Sequence, residues 1–102
     1  MSQQEPSFTI GIEEEYLLVD KASRNLANDP PKAIMEACEK KLAKQGSPEF
    51  LRCQIEVGTT VCKSVQEARK ELAHLRGTIA EISGEHGLAP IAASTHPFAR
   101  WE

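Results

Sequence analysis

The chain has no excess of positive charge, no long apolar run, no leader-like start and few cysteines. Each shortage excludes a class of function. Twelve Lys and Arg against fifteen Asp and Glu leave a net charge of −3, so no basic surface is available for nucleic acid. No apolar stretch approaches the roughly 20 residues that a membrane span needs. The first residues, Met1 to Ser7, have neither the basic start nor the apolar segment of a secretion signal. The sequence therefore reads as cytoplasmic, with no membrane or nucleic-acid partner. Cys38, Cys53 and Cys62 are odd in number and lack metal-site spacing; all three fall in or beside apolar patterns, as packed, reduced thiols do. There is no Walker loop, no dinucleotide fingerprint and no nucleophile motif. That does not exclude nucleotide use where metal ions hold the phosphates.

What remains is a single domain, or a piece of one, over residues 1–102, with 40% apolar and 26% charged residues. Strand and helix signals alternate. A strand is predicted over Phe8–Val19, followed by a polar turn from Asp20 to Asn28. Asp29 as cap and Pro30 or Pro31 in the first turn open a helix carrying Ile34, Ala37, Cys38 and Leu42. Gly46 and Pro48 stop it. A second strand runs from Phe50 to about Gly58, with Leu51, Cys53, Ile55 and Val57 on one face and Arg52, Gln54 and Glu56 on the other. Ser64-Val65-Gln66-Glu67 has the form of a capping box. It starts the longest helix, which reaches about Ser83 with an apolar stripe of Val65, Ala68, Leu72, Leu75, Ile79 and Ile82. Gly84 and Gly87 end it, and Leu88 to Ser94 reads as a third strand. The expected fold is α+β, in the order β-α-β-α-β. The sheet is largely antiparallel, helices cover one face, and charged strand residues line the other.

The carboxylates of the first strand carry the chemical signal. Strand side chains alternate, so Glu13 and Glu15 share a face while Glu14 points the other way. Two same-face carboxylates lie roughly 7 Å apart along a strand, and at an effective dielectric near 20 they repel by about 2.4 kcal/mol. A divalent cation between them reverses the sign. Glu56, on the polar face of the second strand, makes a third carboxylate if the two strands are neighbours. Magnesium favours such hard oxygen ligands together with phosphate oxygens and water, which suits nucleotide-dependent phosphoryl transfer. The plain alternatives are a solvated strand face for Glu13 and Glu15, and pairing with Arg52 or a lysine for Glu56. Glu14, beside Ile12 and Tyr16, is expected to be structural, reaching solvent at the sheet edge or pairing with a helix lysine. His96 precedes Pro97 at the end of a predicted strand, a place where ligands often bind.

Three segments occur together: Ile10-Gly11-Ile12-Glu13-Glu14-Glu15-Tyr16, Gln54-Ile55-Glu56-Val57-Gly58-Thr59-Thr60-Val61-Cys62 and Ser94-Thr95-His96-Pro97-Phe98. In that order and spacing they resemble the N-terminal part of carboxylate–amine ligases of the glutamate–cysteine ligase type 2 family. The resemblance implies a glutamine synthetase-like catalytic fold with an antiparallel sheet curved around the site. It implies Mg²⁺ bound by Glu13, Glu15 and Glu56. It also implies ATP as co-substrate, with glutamate and an amine or amino-acid acceptor joined through an acyl phosphate. Arg52 and His96 follow as weaker candidates for catalytic contact with phosphate or substrate. Position 60 is threonine where such ligases often have proline, a difference expected to affect a turn more than the chemistry. Those ligases run to several hundred residues. The resemblance therefore also implies an incomplete domain, inactive alone, whose raw sheet edge favours self-association. The rival reading is a non-catalytic α/β module that binds another chain through its sheet edge or long helix.

Overall fold

The computed structural model describes residues 8–48, 53–93 and 95–99. Its elements are β1 (Glu13–Asp20), α1 (Lys32–Leu42), β2 (Gly46–Pro48), β3 (Gln54–Gly58), α2 (Val65–Gly84) and β4 (Leu88–Ile91), with a 3₁₀ turn, Ala43–Gln45, after α1. The α+β class holds, but four strands are present among the described residues where the sequence suggested three. The strand order is β2-β3-β1-β4, and every neighbouring pair is antiparallel. β1 and β2 are thus parallel to each other with β3 between them, and β3 and β4 are parallel with β1 between them. Two β-α-β units interlock, each inserting a strand into the other.

The extra strand arises where the sequence suggested only a helix stop. α1 ends at Leu42, and Ala43 has a positive φ of 50°. Gly46 then starts β2 instead of merely ending the helix. A Cβ at Gly46 would lie 3.1 Å from Leu42 Cδ1 and 3.3 Å from its Cβ, so the close turn back from helix to strand favours glycine. At its start α1 departs from expectation too. Pro31, not Asp29, occupies the N-cap position and makes no side-chain cap bond, so both prolines precede the first turn. The α2 start follows the capping-box pattern more closely: Ser64 Oγ accepts from Glu67 N at 3.1 Å, and Glu67 Oε2 accepts from Lys63 N at 2.7 Å. α2 runs through Gly84, and Gly87, with φ 73°, turns the chain into β4.

One core joins both helices to one face of the sheet. It contains Tyr16 and Leu18 of β1, Ile55 and Val57 of β3, Ile34, Cys38 and Leu42 of α1, and Leu75, Ile79 and Ile82 of α2. Three buried positions fit the expected α2 stripe with Ala68 as a fourth, but Val65 is 65% exposed and Leu72 only half-buried. In the first turn of α2 it is Ala68, not Val65, that turns inward. All three cysteines are buried and free.

Both sheet edges are short, and each contains a proline: Pro48 in β2 and Pro90 in β4. Leu18 sends its N–H to Cys53 O and receives Ala27 N on its own carbonyl, both away from β4. Pro90, opposite Leu18, therefore occupies a non-bonded pair, and its missing amide faces the outer edge. Proline in such positions blunts edge pairing.

Candidate metal-binding face of the sheet

Strand register places the three predicted carboxylates on one face. Glu15 is the direct cross-strand partner of Glu56, and Glu13 is the partner of Gly58. A Cβ built on Gly58 would meet Glu13 Cγ at 3.8 Å, so the Glu13 side chain rises over the glycine on that face. On the other side of β3, Ser47 is the partner of Glu56. A row of oxygen-bearing side chains, Ser47, Glu56 and Glu15, thus crosses three strands, with Glu13 one step along. Directly opposed residues in antiparallel strands have Cβ atoms about 5 Å apart. Among the described residues, however, no group of three or more acids, histidines or cysteines is drawn tightly enough to cage an ion. The acids form an open, one-sided array.

This face is not uniformly uncovered. Leu17 and Val19, which follow Glu13 and Glu15 along it, are 2% and 4% exposed, and Gln54 is also buried. The face is acidic and accessible at the Glu13 end and closed at the Asp20 end. A groove of about 700 Å³ lies elsewhere, along α2, lined by Ile12, Val65, Leu72 and Arg76 among others. It is on the helical side of the sheet and holds none of the three acids.

Glu14 faces the helices, as alternation requires, but neither of the two alternatives expected, solvent at the sheet edge or a helix lysine, describes its contact: its partner is an arginine. Arg76 of α2 approaches with Nη2 at 2.6 Å from Oε2 and 2.8 Å from Oε1, and with Nε at 3.2 Å from Oε1. The Tyr16 hydroxyl donates to the same carboxylate, and the guanidinium carbon lies 6.0 Å from the Tyr16 ring centroid. The hydrogen bonds from Arg76 hold Glu14 below the ordinary value of 4.5. Burial, then the Glu14 bond, pushes Tyr16 up to about 12. A lowered carboxylate pKa stabilises the fold above the unfolded value, and that contribution is lost as pH falls through the folded value. Arg76 is 53% exposed, so water screens the pair to at most about 1 kcal/mol. Arg76→Ala is therefore expected to lower stability at pH 7 and to flatten the decline below about pH 4.5, as read from urea midpoints across an acid series. A decline as steep as that of the unaltered chain would rule out this pair as a source of acid sensitivity.

His96 is not brought to the acids. Phe98 N donates to Nδ1 at 3.2 Å, which leaves Nε2 to carry the proton and donate to Arg24 O at 2.9 Å. The Phe98 ring meets the imidazole edge-on, with centroids 4.3 Å apart. Arg24 belongs to the turn after β1, where Asp20 Oδ1 accepts the amides of Ala22 and Ser23. His96 thus stands at the opposite end of β1 from Glu13. Arg52 lies outside the described residues.

The sequence reading missed Glu71. From α2 it binds the loop after β3, accepting Thr60 N at 2.6 Å and Thr60 Oγ1 at 2.9 Å. Thr60, where the change from proline was expected to affect a turn more than the chemistry, is therefore an anchor with two donors. The signal for Glu71 was weak: an acid four residues after Glu67 on a helix is what any solvated face carries.

The model of Glutamate-cysteine ligase family 2 matches residues 9–102. The chain belongs to this family. Over 95 residues it is 60% identical to a protein of Jannaschia sp. named "Putative glutamate--cysteine ligase 2", covering 93% of this chain and 25% of that protein. Proteins with the same name from Paracoccus denitrificans and Rhodospirillum rubrum are 55% and 57% identical; each match covers 96% of this chain and 26% of the relative. The chain thus spans about a quarter of the length of these relatives. Among its described residues, no helix is long and apolar enough to cross a membrane.

Proposed function

We propose that this chain supplies the magnesium-binding wall of an ATP-dependent carboxylate–amine ligase site, with Glu13, Glu15 and Glu56 as the metal-facing carboxylates. The observation that carries the reading is the register, which sets Glu15 against Glu56 and Glu13 over Gly58 on the helix-free face. The donor set fits the ion. Magnesium takes hard oxygens, is held by one or two carboxylates plus phosphate, and retains water, so an open array suits it better than a closed protein cage. Bound there, it would neutralise phosphate charge and align donor with acceptor. The residues of this chain hold negative charge on a fixed strand pair and leave the outer coordination positions to phosphate and water. Family membership supports glutamate as the carboxylate substrate and an amine as acceptor; the proposed route joins them through an acyl phosphate formed from ATP.

Relatives about four times as long imply that other segments complete the nucleotide and acceptor pockets, so no turnover is expected from these 102 residues alone. In this reading Arg52 contacts phosphate or a substrate carboxylate. His96, with both ring nitrogens bonded within the chain, holds the segment after β4 against the β1 turn.

Calorimetric titration of the chain with Mg²⁺ tests the metal assignment. Weak, saturable binding is expected, and it should disappear when Glu13→Gln and Glu15→Gln are combined. No binding at tens of millimolar Mg²⁺, or binding that survives the double substitution, would overturn the assignment. The rival reading of a binding module rests on the apolar groove along α2. It gains if the metal is ignored while light scattering shows a concentration-dependent dimer that Leu72→Glu disperses.

A further inference from the structure

We propose that Glu71 is a positioning residue for the acidic face: it clamps the Gly58–Cys62 loop from α2 and thereby sets where Ile12, and so Glu13, stands. What that face binds rests on the ligase reading above; that Glu71 sets its geometry does not.

The chain of contacts is short. Four donors converge on the Glu71 carboxylate. Oε1 accepts Thr60 N and Gln45 Nε2, each at 2.6 Å, and Oε2 accepts Thr60 Oγ1 at 2.9 Å and Cys62 Sγ at 3.4 Å. Gln45 Nε2 also donates to Gly58 O at 3.3 Å. One carboxylate therefore ties α2 to the turn after α1 and to the loop after β3. That loop in turn fixes the lead-in to β1. Ile12 N donates to Thr59 Oγ1 at 3.0 Å, Thr59 N donates to Ile12 O at 2.9 Å, and Ile10 and Cys62 exchange a pair of backbone bonds at 2.8 Å each. The next residue after Ile12 is Glu13.

Four donors need an acceptor with no hydrogens of its own, which an ionised carboxylate is. Charge-assisted bonds are also the stronger kind. Glu71 does not share the acidic face. It acts around the end of the sheet through backbone that Glu13 and Gly58 share, and through no contact with a bound ion. Tyr16 and Ile55, deeper in the same strand pair, are held by the core and are independent of this clamp.

Two variants and two readouts separate positioning from general stability. In Glu71→Ala, amide hydrogen exchange of Ile12 and Thr60 should rise by about tenfold or more while that of Ile55 and Leu75 stays unchanged, because local openings and global unfolding are distinct events. Mg²⁺ affinity should fall by about 10- to 100-fold, as with loss of an outer-shell partner. Glu71→Gln keeps one oxygen for Thr60 N and Gln45 and turns its amino group to Thr60 Oγ1, which can accept. It should recover most protection and affinity. It also serves as the graded comparison if Glu71→Ala does not fold. Unchanged Ile12 protection in Glu71→Ala overturns the proposal, as does uniform loss of protection across the core. If the unaltered chain ignores Mg²⁺, the ligase reading fails, and the exchange data still decide the role of Glu71.

Discussion

Leu75→Ala should cost about 3 kcal/mol of unfolding free energy, the usual loss for a leucine removed from a closed core, while Val65→Ala should change it by less than about 0.5 kcal/mol. The two residues lie ten apart in the same α2 stripe, and periodicity alone gives them equal weight. Their surroundings do not. Leu75 is fully buried among Tyr16, Ile55, Ile79 and the α1 side chains, whereas Val65, in the first turn, is 65% exposed. A domain of this size has about 5–15 kcal/mol of stability in total, so the first substitution removes a large share. Urea unfolding followed by circular dichroism measures both. Equal losses would mean that the start of α2 is packed in solution as firmly as its middle.

What the sequence made legible follows from which rules act locally. Alternation along Glu13–Tyr16 and Gln54–Val57 assigned faces correctly because side-chain direction in a strand depends only on parity. The α2 cap was visible because Ser64 and Glu67 act within one helical turn. The third residue of the acidic face, Glu56, became adjacent to Glu15 only through register, which pairing fixes and a single sequence does not state. β2 was missed because three residues, Gly46, Ser47 and Pro48, carry no strand propensity. They are extended because β3 offers them a ladder and because Gly46 tolerates the approach of Leu42. Glu14 was expected to reach solvent at the sheet edge or to meet a helix lysine; Arg76 is its partner instead, a planar guanidinium that can bridge both carboxylate oxygens while lying near Tyr16. The roles of Glu71 and Thr60 depend on a contact eleven residues apart, set by how α2 leans over the loop. No periodic pattern encodes that angle.

Glu15→Gln should stabilise the chain without magnesium and lose that advantage as magnesium is added. In EDTA the variant is expected to be the more stable, because Glu15 faces Glu56 directly across the ladder and opposed like charges cost up to about 1 kcal/mol. For a chain of about 100 residues that is a rise in melting temperature of roughly 4–8 °C per kcal/mol. With Mg²⁺ at about ten times its dissociation constant, the unaltered chain gains about 1.4 kcal/mol by mass action. The variant, with one charge fewer in the ligand set, binds about tenfold more weakly and gains only about 0.4 kcal/mol. The difference, about 1 kcal/mol, offsets the relief of repulsion and brings the two melting curves together; higher Mg²⁺ does not widen it much further. A variant that is less stable in EDTA would assign Glu15 to holding the sheet together. A gap of constant size at every Mg²⁺ concentration would leave the charge pair real and remove magnesium as its purpose. Only a gap that opens in EDTA and closes as Mg²⁺ is added identifies repulsion built into the strand pair as the means by which this face binds a cation.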